Sequence, residues 1–340
     1  MATQRAVIST PEGAQLRSNV PLPKLRDDYI IIKTKYVALN PTDWKSIKGK
    51  RAPGAVAGCD YAGVIEEIGK GVTKPFKKGD KVAGFVSGSN PWNHDYGAFA
   101  QHITAKGDIQ MKIADNVPLE QASTLGVGIT TVGQGLFQSL GLPLPPNKVS
   151  EPTPILIYGA STATGTLAVQ FAKLVGATVY ATASPKNHEL VKSLGADYVF
   201  DYRDPDVGKK IREASNDSLT LAFDTISEES SAAISAAALS SKGGHYSALL
   251  NIKSPREDVK SSLTMAYTAL GEKHSDAFPE SQEDWEYGVK FWNLSEGLIN
   301  DGTIKTHPID IRGGLEDIPQ GLADLQNGKV SGAKLVYKIE

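Results

Sequence analysis

The 340-residue chain contains one cysteine, Cys59, so no disulfide can form within it. That is the cysteine usage of a reducing compartment. No apolar stretch approaches the roughly 18 residues needed to cross a bilayer, so no membrane span is expected. No long basic run is present and the formal net charge is −2, which makes nucleic acid an unexpected partner. The short basic group Lys48, Lys50 and Arg51 reads as a solvated loop. Met1 to Arg5 has no signal-peptide core, and Lys338-Ile339-Glu340 is neither a peroxisomal nor an ER-retention ending, so a cytoplasmic location is expected. What is present is ordinary for a globular protein: 40% hydrophobic and 22% charged residues, and a length that predicts two domains.

Residues 1–125 carry short strand-like runs, at 6–8, 29–33 and 61–65, bounded by Gly, Pro and Asp. From 119 to 140 the spacing turns helical, although Gly126, Gly128 and Gly133 weaken it. The segment 141–154 holds five prolines and reads as an irregular connection. Beyond it strand and helix alternate: strands at 155–158, 178–181 and 198–200, helices at 166–175 and 187–194, and further strands at 219–223 and 246–250. Such alternation requires parallel strands with crossover helices, hence a doubly wound α/β sheet. Residues 303–340 return to strand, helix, strand.

The most informative stretch is Tyr158-Gly159-Ala160-Ser161-Thr162-Ala163-Thr164-Gly165, which follows an apolar strand and opens a helix, the context of a dinucleotide fingerprint. Gly159 lets the chain turn off the strand and Gly165 lets the helix approach the sheet. Between them, Ser161, Thr162, Ala163 and Thr164 would present backbone N–H groups to a pyrophosphate. The second strand ends in Ala183-Ser184-Pro185-Lys186-Asn187, where no acid is found. A carboxylate there would accept from the ribose 2′-hydroxyl of NAD and repel a 2′-phosphate. Ser184, Lys186 and Asn187 suit the phosphate, and Tyr202 with Arg203 could close the pocket from the third strand, so NADPH is the expected cofactor.

The order of segments, with Asn40-Pro41-Thr42-Asp43, Gly58-Cys59-Asp60-Tyr61-Ala62-Gly63-Val64, Lys78-Gly79-Asp80-Lys81-Val82, the glycine loop and Gly328-Lys329-Val330-Ser331-Gly332, resembles the medium-chain dehydrogenase/reductase superfamily over essentially the whole chain. The resemblance implies a β-rich GroES-like barrel domain over 1–125 and 303–340 and a Rossmann-type NADPH-binding domain over 126–302. Zinc-dependent members bind their catalytic metal through thiolate and imidazole groups; the corresponding positions here carry Asn40, Cys59 and Asp60. Structural zinc there needs four cysteines, so no metal is expected. The Ser184 to Asn187 and Phe200 to Arg203 segments, with Leu142-Pro143-Leu144-Pro145, look most like the stand-alone, trans-acting enoyl reductases of fungal polyketide synthases.

That resemblance implies reduction of the α,β double bond of an enoyl thioester, either a small molecule or carrier-bound, with a polyketide synthase as partner. By the same resemblance, Lys45 would stabilise the developing oxyanion or relay a proton, and Thr131, ahead of Thr130, would support the nicotinamide, while Pro41 and Asp43 would border the cofactor. Related fatty-acid enoyl reductases carry a tyrosine donor shortly after Asn-Pro-x-Asp, where this chain has Lys50-Arg51-Ala52-Pro53. His94 and Tyr96 are read as loop residues near the cleft, and Asp224 as capping the turn after its strand or contacting the cofactor. Two alternatives remain open: a quinone or free-enone reductase, and a non-reducing binding or cyclase-like member of the same fold. A monomer is expected ahead of a homodimer.

Overall fold

The computed structural model describes residues 2–339; Met1 and Glu340, the outermost residues of the expected barrel segments, lie outside them. The chain divides into two compact units, Met1–Thr130 with Tyr267–Glu340, and Thr131–Ala266.

In the first unit, β1 (Thr3–Thr10) and β2 (Gly13–Pro21) form a hairpin. Then come β3 (Tyr29–Ala38), α1 (Pro41–Lys48), β4 (Asp60–Ile68), β5 (Lys81–Phe85), β6 (His102–Lys106) and β7 (Gln110–Lys112). The region expected to be helical over 119–140 is divided into α2 (Leu119–Ala122), α3 (Gly126–Val132) and a π-helical stretch, Gly133–Ser139. Glycines at 126, 128, 133 and 135 supply little helix propensity, so tertiary packing dictates the path. Gly135, for instance, lies against Phe223, where an added Cβ would fall 2.3 Å from the ring.

The second unit holds β8 (Pro154–Tyr158), α4 (Ala163–Leu174), β9 (Thr178–Ala183), α5 (His188–Ser193), β10 (Tyr198–Asp201), α6 (Val207–Ala214), β11 (Leu221–Asp224), α7 (Glu229–Ala238), β12 (Gly244–Ala248) and β13 (Val259–Leu263). Its six strands are all parallel in the order β10-β9-β8-β11-β12-β13, the doubly wound topology expected. The strand order reverses between β8 and β11, and in open α/β sheets ligands bind beyond the C-terminal ends of strands at that point. Leu156, Tyr180, Ile211, Leu219 and Tyr246 form one buried cluster beneath it.

The chain then returns to the first unit through α8 (Gln282–Asn300), β14 (Ile309–Arg312), α9 (Ile318–Gln326) and β15 (Lys334–Lys338). Strands β14-β15-β3-β4-β5-β7 make a continuous sheet, with β6 pairing β3. Only β14 and β15 run parallel to each other. The hairpin closes over it through Val7 N–H to Phe99 O (2.8 Å) and Ser9 N–H to Ala55 O (2.9 Å). Tyr29, Tyr61, Phe85, Phe99 and Tyr337 fill the core.

The second junction corrects the expected boundary at 302/303, because residues 267–302 pack with the first unit. Long-range hydrogen bonds hold them there: Asn300 accepts from the Ala114 N–H (2.9 Å), Glu296 accepts from the Lys112 N–H (2.9 Å), and the Trp292 indole donates to Thr130 Oγ1 (3.0 Å). The first junction falls at 130/131, close to the expected 125/126.

Candidate active site

The glycine loop owes its shape to two glycines. Gly159 sits at φ +74, and a Cβ there would lie 2.7 Å from Thr225 Oγ1. At Gly165 a Cβ would fall 2.3 Å from Gly159 O, so only glycine permits the first turn of α4 to close on the end of β8. Thr162 caps that helix, its Oγ1 accepting from the Gly165 N–H at 2.9 Å. The same hydroxyl meets Thr225 Oγ1 at 2.9 Å, and Thr225 donates to Tyr158 O (2.8 Å) and Gly159 O (3.0 Å). The loop is thereby tied to the end of β11 across the strand-order reversal. The cap serves the Gly165 amide and leaves Ala163 and Thr164, the first two helical residues, with amides that have no acceptor within their own helix. That cradle fits a pyrophosphate.

At the end of β9, Asn187 is buried and donates from Nδ2 to both Ser161 Oγ and Ser184 Oγ, each at 3.2 Å. The glycine loop and the acid-free turn thus meet through one amide. Lys186, in the same turn, is exposed. Arg203 pairs bidentately with Asp201 two residues earlier, at 2.9–3.2 Å, so its charge is already partnered. Tyr202 beside it is 43% exposed. Asp224 is fully buried and accepts from the amides of Ile226 and Ser227 (2.9 Å each), from Ser231 Oγ (2.5 Å) and from Tyr246 Oη (2.7 Å), which is the turn-capping role.

In the first unit, α1 starts at Pro41 because proline needs no N–H acceptor there, and Asp43 folds back so that Oδ2 accepts from the Asn40 amide at 2.7 Å. Burial pushes the Asp43 carboxyl up to about 7, against the lowering effect of that hydrogen bond. Lys45 lies on the exposed side of α1, its ammonium 5.7 Å from the Trp44 ring centroid. Thr131 is buried in α3. Tyr96 lies in the loop between β5 and β6 and is fully buried there, edge-on to Tyr29 at 5.6 Å in the core of the first unit.

The structure adds a cluster that no spacing announced. Tyr267, 225 residues after Thr42, brings its Oη to 2.7 Å from Thr42 Oγ1 and 3.4 Å from Cys59 Sγ. Its ring stacks on His274 at 4.1 Å between centroids. Arg51 meets both nitrogens of that imidazole (2.6 and 2.9 Å) and donates to its carbonyl oxygen (2.6 Å). Desolvation, then the Arg51 charge, holds His274 down at about 3, so it is neutral. Burial raises both the Cys59 thiol and the Tyr267 phenol well above their usual values, so both stay protonated.

The donor set does not suit zinc. Lys334, almost fully buried, donates from Nζ to Asn40 Oδ1 (2.9 Å), Asp60 Oδ2 (2.5 Å) and Thr124 O (3.1 Å). Asp60 Oδ1 accepts in addition from the Val127 amide (2.7 Å). An ammonium therefore already holds the carboxylate and the amide, and Cys59 is a protonated thiol beside Tyr267. Among the described residues no group of three His, Cys, Asp or Glu side chains is arranged to hold a metal, and no helix is long and apolar enough to cross a membrane.

Two family profiles match the chain: the alcohol dehydrogenase GroES-like domain over residues 26–115 and the zinc-binding dehydrogenase domain over 163–274. The chain is 58% identical to trans-enoyl reductase ACTTS2 of Alternaria alternata, covering all of both chains. It is 47% identical to trans-enoyl reductase resD of Aspergillus sclerotiorum, over 98% of this chain and 100% of that one. Among solved structures, the CurK enoyl reductase superposes with a TM-score of 0.79 at 19% identity, covering 99% of each chain. An alcohol dehydrogenase superfamily protein of Novosphingobium aromaticivorans gives 0.81 at 21%, covering all of both. Both show the shared fold. A GroES-like unit, a doubly wound unit with its glycine cradle, and full-length identity to fungal relatives agree: the chain belongs to the medium-chain dehydrogenase/reductase superfamily of oxidoreductases and, within it, to the fungal trans-enoyl reductases.

Proposed function

We propose that the protein is an NADPH-dependent enoyl reductase that saturates the α,β double bond of a polyketide enoyl thioester, acting in trans on a chain held by a polyketide synthase. The observation that carries the cofactor choice is the Ser161–Asn187–Ser184 contact. It joins the acid-free turn at the end of β9 to the glycine loop, with Lys186 exposed in the same turn. Serine hydroxyls, an amide and an ammonium can all donate to a 2′-phosphate, and no carboxylate in that turn repels it. NADPH, when bound, supplies the hydride that adds to the substrate β-carbon.

The chain's own residues do the rest. Ser161 to Gly165 bind the pyrophosphate through backbone amides and the α4 N-terminus, while Ser184, Lys186 and Asn187 read the phosphate, with Tyr202 flanking them. Thr131 supports the nicotinamide, and Pro41 and Asp43 shape the turn that carries Lys45. The ammonium of Lys45 stabilises the negative charge that develops on the thioester oxygen in the transition state. The names borne by its fungal relatives support the trans-acting role.

The test is NADPH consumption with pantetheine-linked and carrier-bound enoyl thioesters, comparing wild type with Lys45→Ala. Turnover of thioesters by wild type and a loss of about a hundredfold in Lys45→Ala are expected. Turnover of quinones alone, or none with any enone, overturns the reading.

A further inference from the structure

We propose that Tyr267 is the proton donor of the reduction, its Oη delivering the proton that completes the substrate α-carbon. The inference rests on the enoyl reduction proposed above and names the group that reading lacks. Hydride addition forms a C–H bond at the β-carbon, and the electrons of the C=C bond move onto the α-carbon and the thioester oxygen. An acid must then give up a proton so that a second C–H bond forms at the α-carbon; when the acid is a phenol, the negative charge passes to its oxygen.

Tyr267 is built for this. The residue is nine-tenths buried, yet its oxygen is reached by a hydroxyl, Thr42 Oγ1 at 2.7 Å, and by a thiol, Cys59 Sγ at 3.4 Å. The Thr42 hydroxyl can turn its hydrogen towards a phenolate oxygen, and its hydrogen bond favours the ionised phenol. Thr42 lies in the first turn of α1, on the same segment as Lys45. The ring is clamped between Phe85 (5.3 Å between centroids) and the stacked His274 (4.1 Å). The Arg51 guanidinium, fixed by its contacts to His274, stands 5.8 Å from the Tyr267 ring centroid. A cation there favours negative charge on the phenol as the proton leaves.

The other groups in the cluster fit less well. The Asp43 carboxyl is committed through Oδ2 to the Asn40 amide. His274 is neutral and has both ring nitrogens facing Arg51. Cys59 is 1% exposed, more deeply buried than Tyr267, and its Sγ lies 3.4 Å from Tyr267 Oη. After transfer, the phenolate regains its proton from water through the partly exposed Thr42 hydroxyl, so the balance is one enoyl thioester, one NADPH and one solvent proton giving one saturated thioester and one NADP⁺.

The experiment compares wild type, Tyr267→Phe and protein carrying 3-fluorotyrosine at 267, all as the full chain with a pantetheine-linked enoyl thioester. Tyr267→Phe should lower kcat by about a hundredfold or more, the usual worth of a general acid, with KM changed by less than about threefold. NADPH affinity, read from cofactor fluorescence, should be unchanged. The fluorinated protein keeps the hydroxyl and the packing, so it should recover most of kcat and change the solvent deuterium isotope effect. It also serves if the phenylalanine variant does not fold. A Tyr267→Phe protein with wild-type kcat, or a fluorinated one with the wild-type rate and isotope effect, overturns Tyr267 as donor while leaving the reductase reading intact. Wild type that consumes no NADPH with any enoyl thioester overturns both.

Discussion

Removing the buried ammonium of Lys334 offers the sharpest test of how the first unit is held together. The side chain of Lys334 is 4% exposed and that of Asp60 0%. Its Nζ serves three acceptors drawn from the turn before α1, the start of β4 and the turn before α3, at 2.5–3.1 Å. In Lys334→Met the Asp60 carboxylate keeps the Val127 amide as a donor, at 2.7 Å, and loses its counter-charge in a site closed to water. Breaking one side of a buried pair costs about 3–5 kcal/mol. For a unit of this size that is a fall in Tm of roughly 6–20 °C. The assay is specific, because all four tryptophans (Trp44, Trp92, Trp285 and Trp292) lie in the first unit, so their fluorescence follows its unfolding alone. Adding Asp60→Asn to Lys334→Met removes the orphaned charge while keeping an acceptor for Val127, and should recover about half the loss or more. A Lys334→Met protein within about 1 kcal/mol of wild type, or no recovery in the double variant, would refute the argument.

Three further outcomes follow from the geometry. Gly165→Val should abolish NADPH binding in a fluorescence titration, because its Cβ falls 2.3 Å from Gly159 O and α4 must move off the strand; tight binding by a folded variant would contradict the cradle. Lys186→Glu should weaken NADPH about 10- to 100-fold and NADH by less than about threefold, the worth of a charge-assisted hydrogen bond; equal losses for both cofactors would remove Lys186 from the 2′-phosphate site. Asp43 has a folded pKa of about 7, above its ordinary 3.8, so its contribution to stability is fully present below about pH 4 and is lost as pH rises towards 7. Wild-type stability minus that of Asp43→Asn, measured by urea unfolding, should therefore shrink by up to about 4 kcal/mol across that window; a difference independent of pH would mean that the carboxyl ionises normally.

Where local structure depends on a short run of chain, the sequence was enough. The strand, glycine turn and helix at 155–175 specify their own geometry: a positive φ at Gly159 and the approach at Gly165 are requirements on single residues, and those residues are glycine. The acid-free turn at 184–187 likewise sits next in sequence to its strand, and parallel strands with helical crossovers follow from the alternation itself. Other features lay beyond any local pattern. The charges of Arg203 and Asp201 cancel each other, a matter of rotamer and contact. The segment 267–302 ends in a long, partly buried helix that could sit in either unit, and it is the contacts of Tyr267, His274, Trp292, Glu296 and Asn300 that assign it to the first. Lys334 looks like one more basic residue in a strand until the sheet brings it to Asp60, 274 residues away.

The chain by itself thus determined the doubly wound sheet, the glycine cradle and the family, because these depend on periodicity and on backbone constraints carried by neighbouring residues. Tertiary structure alone decided what surrounds the first turn of α1: a lysine between Asn40 and Asp60, and a tyrosine against Thr42 and Cys59 with a histidine stacked on it and an arginine on that histidine. Those contacts join residues more than 200 positions apart, and their energies arise from burial and shared hydrogen bonds, which no stretch of sequence holds on its own.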